Sequence, residues 1–184
     1  MTRRGVLALV AGAALASAFA PTPWIIDRDA SSIGMTVRAF GLARTGEFRD
    51  WNGELAFDPE APGDARAEVT VRAASLDLSP AAAERRALGP AFLDVANHPL
   101  IRFRLRALEP LGGERWRATA DVTIKGVTRP VVFPVDLRVT GDRAHLAGAF
   151  ALDRADYGIG TSGPWNRLVG RQVTVRVSLR ARRA

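Results

Sequence analysis

From Trp24 onward, apolar and polar residues alternate at every second position over long stretches, and no other feature restricts the fold as much. Ile101, Phe103 and Leu105 alternate with Arg102, Arg104 and Arg106. Trp116, Ala118, Ala120, Val122 and Ile124 alternate with Arg117, Thr119, Asp121, Thr123 and Lys125, and Val173, Val175, Val177 and Leu179 with Gln172, Thr174, Arg176, Ser178 and Arg180. Successive side chains of a strand point to opposite faces, so each stretch is predicted to be a strand with one dry and one wet face. Residues 24–27 read as a short first strand, Ile33, Met35, Val37 and Ala39 as a second, and about 45–57 as a third. The third is interrupted at 50–53, where Asn52-Gly53 marks a turn or a strongly bent strand with a bulge. Ala67, Val69, Val71 and Ala73 form the next strand, and 131–139 and 146–152 two more. Pro130 and Pro134 cannot donate to a ladder, which puts the start of strand 131–139 at a rim, an edge or a bulge. Gly41, Lys125-Gly126 and Gly141-Asp142 are predicted turns, and 58–64 a polar loop.

One segment breaks the pattern. Ser79 reads as a helix N-cap, Pro80 as the first helical position and Ala81, Ala82 and Ala83 as helix formers, with Gly89 ending a short helix. It delivers residues 92–95, an apolar knot between Pro90 and Pro99 that is too brief for a regular helix and too apolar for an exposed loop. Burial of the knot is the expectation.

About eight one-sided antiparallel strands, joined mostly by short turns and with this one helical excursion, make an all-β domain that must hide a single apolar face. A closed barrel does so without leaving edges, and is preferred over a two-sheet sandwich. At about eight strands the interior is either filled by side chains or wide enough for one slender ligand. Slim inward residues, among them Ala39, Ala67, Ala73, Ala118, Ala120 and the strand valines, favour a cavity over a solid core.

Catalytic equipment is hard to find. His98, in a loop, and His145, on a strand, have no metal-ligand spacing and read as structural or solvent-facing. There is no Gly-x-Ser-x-Gly elbow, no phosphate-cradling glycine loop before a helix and no His-Glu-x-x-His. Asp153 and Asp156 read as a strand end entering the glycine-rich loop 158–163, not as an acid–base pair. The absence of cysteine excludes disulfides, thiolate metal sites and a Cys nucleophile. No enzyme activity, metal or cofactor is expected.

The net charge is +7, and every Lys or Arg except Lys125 is an arginine. These arginines are spread singly along the wet faces of strands instead of clustering, so no nucleic-acid partner is expected. At the amino terminus Arg3-Arg4, the apolar run 5–16 and Ala16-Ser17-Ala18 have the three parts of a secretory signal. Residues 1–18 are assigned to it, with cleavage after Ala18, and 19–184 to one domain. An uncleaved anchor is the runner-up, and Arg3-Arg4 also fits twin-arginine export.

Several stretches together resemble the YceI-like family in their order along the chain. They are residues 24–27 with Ser31, Ile33 and Val37; Gly46-Glu47-Phe48 with Gly53; Ala74-Ser75-Leu76; Phe92-Leu93-Asp94-Val95 with His98-Pro99 and Ile101-Arg102-Phe103; Thr123-Ile124-Lys125-Gly126-Val127-Thr128 through Val131; and Arg154-Ala155-Asp156-Tyr157-Gly158-Ile159. The resemblance spans Trp24 to about Ala181. It implies a lipocalin-like antiparallel barrel, export to the bacterial periplasm and, as in some members, a polyisoprenoid chain held in an elongated apolar tunnel. Relatives often carry histidines where this chain has Ala30 and Ala39, and an aromatic where it has Met35, which widens and softens that part of the wall.

The expected function is therefore non-catalytic binding, storage or transport of a long apolar lipid, isoprenoid or quinone-like, driven by removing its surface from water. The expected wall is Ile33, Met35, Val37, Val69, Val71, Ile101, Phe103, Val122, Ile124, Val135, Leu137, Val173, Val175 and Val177, with Phe92 and Leu93 closing one end. A structural or protein-interaction module with a packed core, and an enzyme acting on a lipid inside the barrel, are the alternatives. Transient membrane contact is compatible with this reading, and oligomeric state is left open, a homodimer included.

Overall fold

Ten strand segments close into one antiparallel barrel in a computed structural model that describes residues 22–184. In chain order they are β1 (Pro23–Ala39), β2 (Leu42–Phe48), β3 (Trp51–Ala56), β4 (Arg66–Arg72), β5 (Leu76–Leu78), β6 (Leu100–Gly112), β7 (Arg115–Ile124), β8 (Val127–Thr140), β9 (Arg143–Asp153) and β10 (Val169–Arg183). A helix, α1 (Ala81–Leu88), precedes β6, and a single turn, α2 (Trp165–Leu168), precedes β10. β2 and β3 are two halves of one bent stave, as are β4 and β5, so the barrel has eight staves. Each stave pairs with its neighbour in sequence, and β10 returns to pair with β1. The assignment of residues 1–18 to a signal lies outside the described residues.

The structure corrects the division of the first strands. Residues 24–27 and 33–39 belong to one long strand, β1, not to two. Between Asp27↔Arg180 and Ser32↔Ser178 the register shifts, because β1 spends three more residues there than β10. An odd insertion exchanges the two faces of a strand. Trp24 and Ile26 accordingly point inward from even positions, and Ile33, Met35 and Val37 from odd ones. Ser31 ties the bulge down, its hydroxyl donating to Asp27 O at 2.5 Å and accepting from Arg180 N at 2.9 Å. A similar irregularity at Arg106 moves the inward set of β6 from Leu105 to Leu108.

The bend of the third strand falls at Arg49-Asp50, one step before the segment marked in the sequence, and Asn52 and Gly53 lie inside β3. Ala73 ends up in a 3-10 turn after β4 and is not part of the strand. The helical excursion exists, but Pro80 and not Ser79 caps α1, and no side chain bonds to its first turn; Pro80 O accepts from Ala83 N at 2.8 Å. Of the knot, only Phe92 is fully buried, while Leu93, Asp94 and Val95 are half-buried. The half of β8 carrying Pro130 and Pro134 pairs with β7 alone, since pairing with β9 begins at Val135↔Gly148. That is the rim position the prolines require. The β7–β8 hairpin turns on Lys125 (φ 50°) and Gly126 (φ 76°), the two left-handed residues of the tightest antiparallel connection.

Candidate functional site

The inner face of the barrel does not close on itself. It encloses a cavity of about 580 Å³, inside the range of roughly 300–1,000 Å³ usual for small-molecule sites. The cavity runs from Trp24 and Phe57 at one end to Phe40 and Trp165 at the other. Every residue expected from the sequence to form the wall lines this one space. Ile33, Val71, Phe92, Val122, Ile124, Val135 and Leu137 are buried in it. Met35, Val37, Val69, Leu93, Ile101, Phe103, Val173, Val175 and Val177 are only half-buried although they line the interior. Inward side chains that keep accessible surface are facing a void.

Aromatics gather at the far end. Trp24 Nε1 donates to Phe57 O at 2.9 Å, and Phe57 meets Trp116 edge-on with ring centres 5.5 Å apart. Phe133 lies 4.8 Å from Phe150 and 6.3 Å from Phe103, forming an aromatic patch on one side of the wall. Gly148 stands beside it, where a Cβ would come within 2.8 Å of Val135 Cγ1.

The near end is covered in part by α1, Phe92 and Trp165. Phe92 and Trp165 pack edge to face at 6.0 Å, and Arg86 lies 4.1 Å above the Trp165 ring. Exposed Phe40, Pro80, Ala82 and Arg86 also line the cavity, so this end opens to solvent.

Charged residues contribute little to the wall: Arg44, Glu54, Arg86 and Arg154 among the described residues. Arg154 is 1% exposed and has no carboxylate within ion-pair distance among the described residues. All its N–H groups instead donate to backbone carbonyls: Nε to Gly170 at 3.0 Å, Nη1 to Ile159 and Gly160 at 2.6 and 2.8 Å, Nη2 to Val169 and Asn166 at 2.6 and 3.3 Å. Burial pushes its pKa below the ordinary guanidinium value, with the charge of Asp153 opposing. Arg154 thus spends its donors on folding residues 159–170 over the rim and has none left for a ligand. Gly160, at φ 59°, lets that loop touch Phe92, for a Cβ there would sit 2.8 Å from the ring.

The remaining polar candidates lie apart from one another. Asp153 Oδ1 caps a 3-10 turn over Arg154–Tyr157 that follows β9, accepting from Ala155 N at 2.8 Å. The Arg171 guanidinium, then that N–H, hold its carboxyl below the usual carboxylate range. His145 Nε2 is 3.3 Å from Ser178 Oγ, and His98 Nε2 is 3.9 Å from Asp94 Oδ2. Tyr157 is buried, its hydroxyl has no partner among the described residues, and burial raises its pKa. No three His, Asp or Glu side chains gather into a possible metal site among the described residues.

Sequence reasoning missed several wall residues. Phe133, Phe150 and Leu152 obey the same alternation and were legible by it. Leu108 follows the β6 irregularity, and Trp165 and Ile159 arrive on the glycine-rich loop, where no periodicity points inward.

Comparison with known proteins bears on this geometry. Residues 24–181 match the family model of the YceI-like domain. A UPF0312 protein of Pseudomonas syringae pv. tomato is 28% identical over 95% of this chain and 96% of its own. A UPF0312 protein of Photorhabdus laumondii is 30% identical over 77% and 76%. Among solved structures, BcnA of Burkholderia cenocepacia superposes with a TM-score of 0.80 at 24% identity, covering 85% of this chain and 99% of that one. A polyisoprenoid binding domain from Saccharophagus degradans, implicated in plant cell wall breakdown, gives 0.71 at 14% identity, covering 89% and 99%. At these identities the two structures share the barrel fold with this chain.

Proposed function

The chain belongs to the YceI-like domain family, and from that premise we propose that it binds one long apolar lipid, an isoprenoid or quinone-like molecule, inside the barrel and stores or carries it without chemical change. The hollow lumen of about 580 Å³ with its almost wholly apolar wall carries this reading. An isoprenoid chain has no hydrogen bonds to offer, so affinity comes from surface removed from water, about 25 cal/mol per Å² before ordering costs. A hollow interior speaks against the packed-core module. An enzyme would need acid–base or metal groups gathered at the lumen; Asp153, His98 and His145 do not line it, and Glu54, the carboxylate that does, has no histidine or second carboxylate beside it in the wall among the described residues. The similarity to a polyisoprenoid binding domain supports the ligand class. The secretory leader read at residues 1–18 supports a periplasmic location.

Titration with a polyprenol of defined length tests the proposal. At about 100 times Kd a ligand adds about 2.7 kcal/mol to the folded state, which in a domain of this size raises Tm by roughly 5–10 °C. Fluorescence of Trp24 and Trp165, both in the cavity wall, should change at the same ligand concentrations. No shift in either signal with any prenyl length would refute the proposal.

A further inference from the structure

Around the open end of the lumen the surface is apolar and basic at once. Phe40, in the β1–β2 turn, and Leu42, the first residue of β2, are 61% and 59% exposed, and Leu168 of α2 is 39% exposed. They form one patch, since Phe40 N donates to Leu168 O at 2.8 Å and the Phe40 ring meets Trp165 edge-on at 6.3 Å. Arg38, Arg44, Arg86 and Arg167 surround it: Arg38 Nη1 donates to Gly41 O at 3.4 Å, and Arg86 lies over Trp165. Ion pairs elsewhere on the barrel engage Arg28, Arg49, Arg72, Arg104, Arg106, Arg117, Arg138 and Arg171, while others such as Arg102, Arg129, Arg143 and Arg182 have none among the described residues, so what sets the four at the mouth apart is their place around an exposed apolar patch. None of the four arginines at the mouth has such a partner among the described residues. The acidic residues of the same elements are engaged or distant. Glu47 pairs with Arg49 at 2.9 Å, Glu84 accepts from Leu78 N at 3.1 Å, and Asp27 and Asp29 lie at the bulge of β1, far along the strand from Arg38.

We propose that this rim docks on the surface of an anionic phospholipid bilayer, with Phe40, Leu42 and Leu168 entering the interface and the four arginines meeting lipid phosphates, so that the lumen opens onto the membrane. Exposed aromatic and aliphatic residues flanked by arginine are what a headgroup–acyl boundary accommodates. Phe40, Arg44, Arg86 and Trp165 belong both to the patch and to the cavity wall, which makes the patch continuous with the mouth. The placement rests on the lipid-holding reading and extends it. A lipid entering through open water would pay about fourfold in equilibrium for each methylene exposed, and a docked mouth removes that barrier.

Cosedimentation with vesicles tests the docking, and polyprenol binding in vesicle-free solution is measured beside it. On phosphatidylcholine with about one third phosphatidylglycerol the protein should bind about tenfold or more tightly than on phosphatidylcholine alone, and lose most of that gain near 1 M salt. Leu42→Ser with Leu168→Ser, and separately Arg38→Gln with Arg167→Gln, should each weaken vesicle binding, the latter by about fivefold per arginine removed. None of these four side chains lines the cavity, so polyprenol affinity should not change. Vesicle binding that is absent, or indifferent to lipid charge and to both variants, overturns the docking even if polyprenol binds. Vesicle binding with this charge and residue dependence upholds it even if polyprenol does not bind, and the lipid-holding reading then fails alone. A dimer dissolved by the Leu42→Ser/Leu168→Ser variant would assign the patch to a second copy and overturn the membrane assignment.

Discussion

The double variant Ile101→Phe/Val175→Phe is expected to lose the stabilisation that a polyprenol confers, while its own unfolding free energy in urea stays within about 1 kcal/mol of the parent. Ile101 on β6 and Val175 on β10 lie on strands four staves apart in a ring of eight, and both side chains face the lumen. In a packed interior, enlarging either would displace neighbours and cost about 1–3 kcal/mol. In a hollow one the new rings occupy space the ligand needs and bury apolar surface of their own. The two measurements therefore move in opposite ways for the two interiors. A variant that is strongly destabilised yet keeps its full ligand-induced Tm shift would mean that these side chains meet packed neighbours and that the ligand sits elsewhere.

The largest stability effect is expected at Arg154. Replacing it by Met leaves the carbonyls of Ile159, Gly160, Asn166, Val169 and Gly170 without the donors they now have. Orphaned buried acceptors cost about 1–3 kcal/mol each where water cannot reach them. A loss of about 3 kcal/mol or more in urea denaturation is the expected result, together with faster amide exchange across residues 159–170. Arg154→Lys should recover only part of it, because one ammonium cannot reproduce a planar fork of five donors. An unchanged midpoint in Arg154→Met would show that this loop holds its place by other means.

The staves were legible because one face of each is buried, and a period of two survives in sequence wherever that is so. Val122 and Ile124, or Val173, Val175 and Val177, could be placed on the wall from spacing alone. The failures have a common physical origin in irregular backbone. The bulge in β1 reverses which parity faces inward, so 24–27 and 33–39 read as separate strands when they are one. The bend between β2 and β3 lies at Arg49-Asp50, although Asn52-Gly53 carries the stronger turn signal. Residues 159–169 bring Ile159 and Trp165 to the cavity through bonds to groups distant in sequence, the Arg154 side chain with Ala91 O and Phe40 N, and such tertiary capture leaves no local pattern. Spacing alone does not fix the hollow, because small inward residues can also interdigitate into a solid core. What separates the two outcomes is how far the opposing walls stand apart, a property of stave number and tilt and not of any one strand.

Native mass spectrometry of the protein purified from cells without detergent tests the lipid-filled lumen most directly. The expected spectrum shows the chain with one non-covalent adduct whose mass and fragmentation match an isoprenoid or quinone-like lipid, and the adduct vanishes in Ile101→Phe/Val175→Phe. A spectrum of bare protein that stays bare after incubation with polyprenols, or an adduct that persists unchanged in the filled variant, would contradict it.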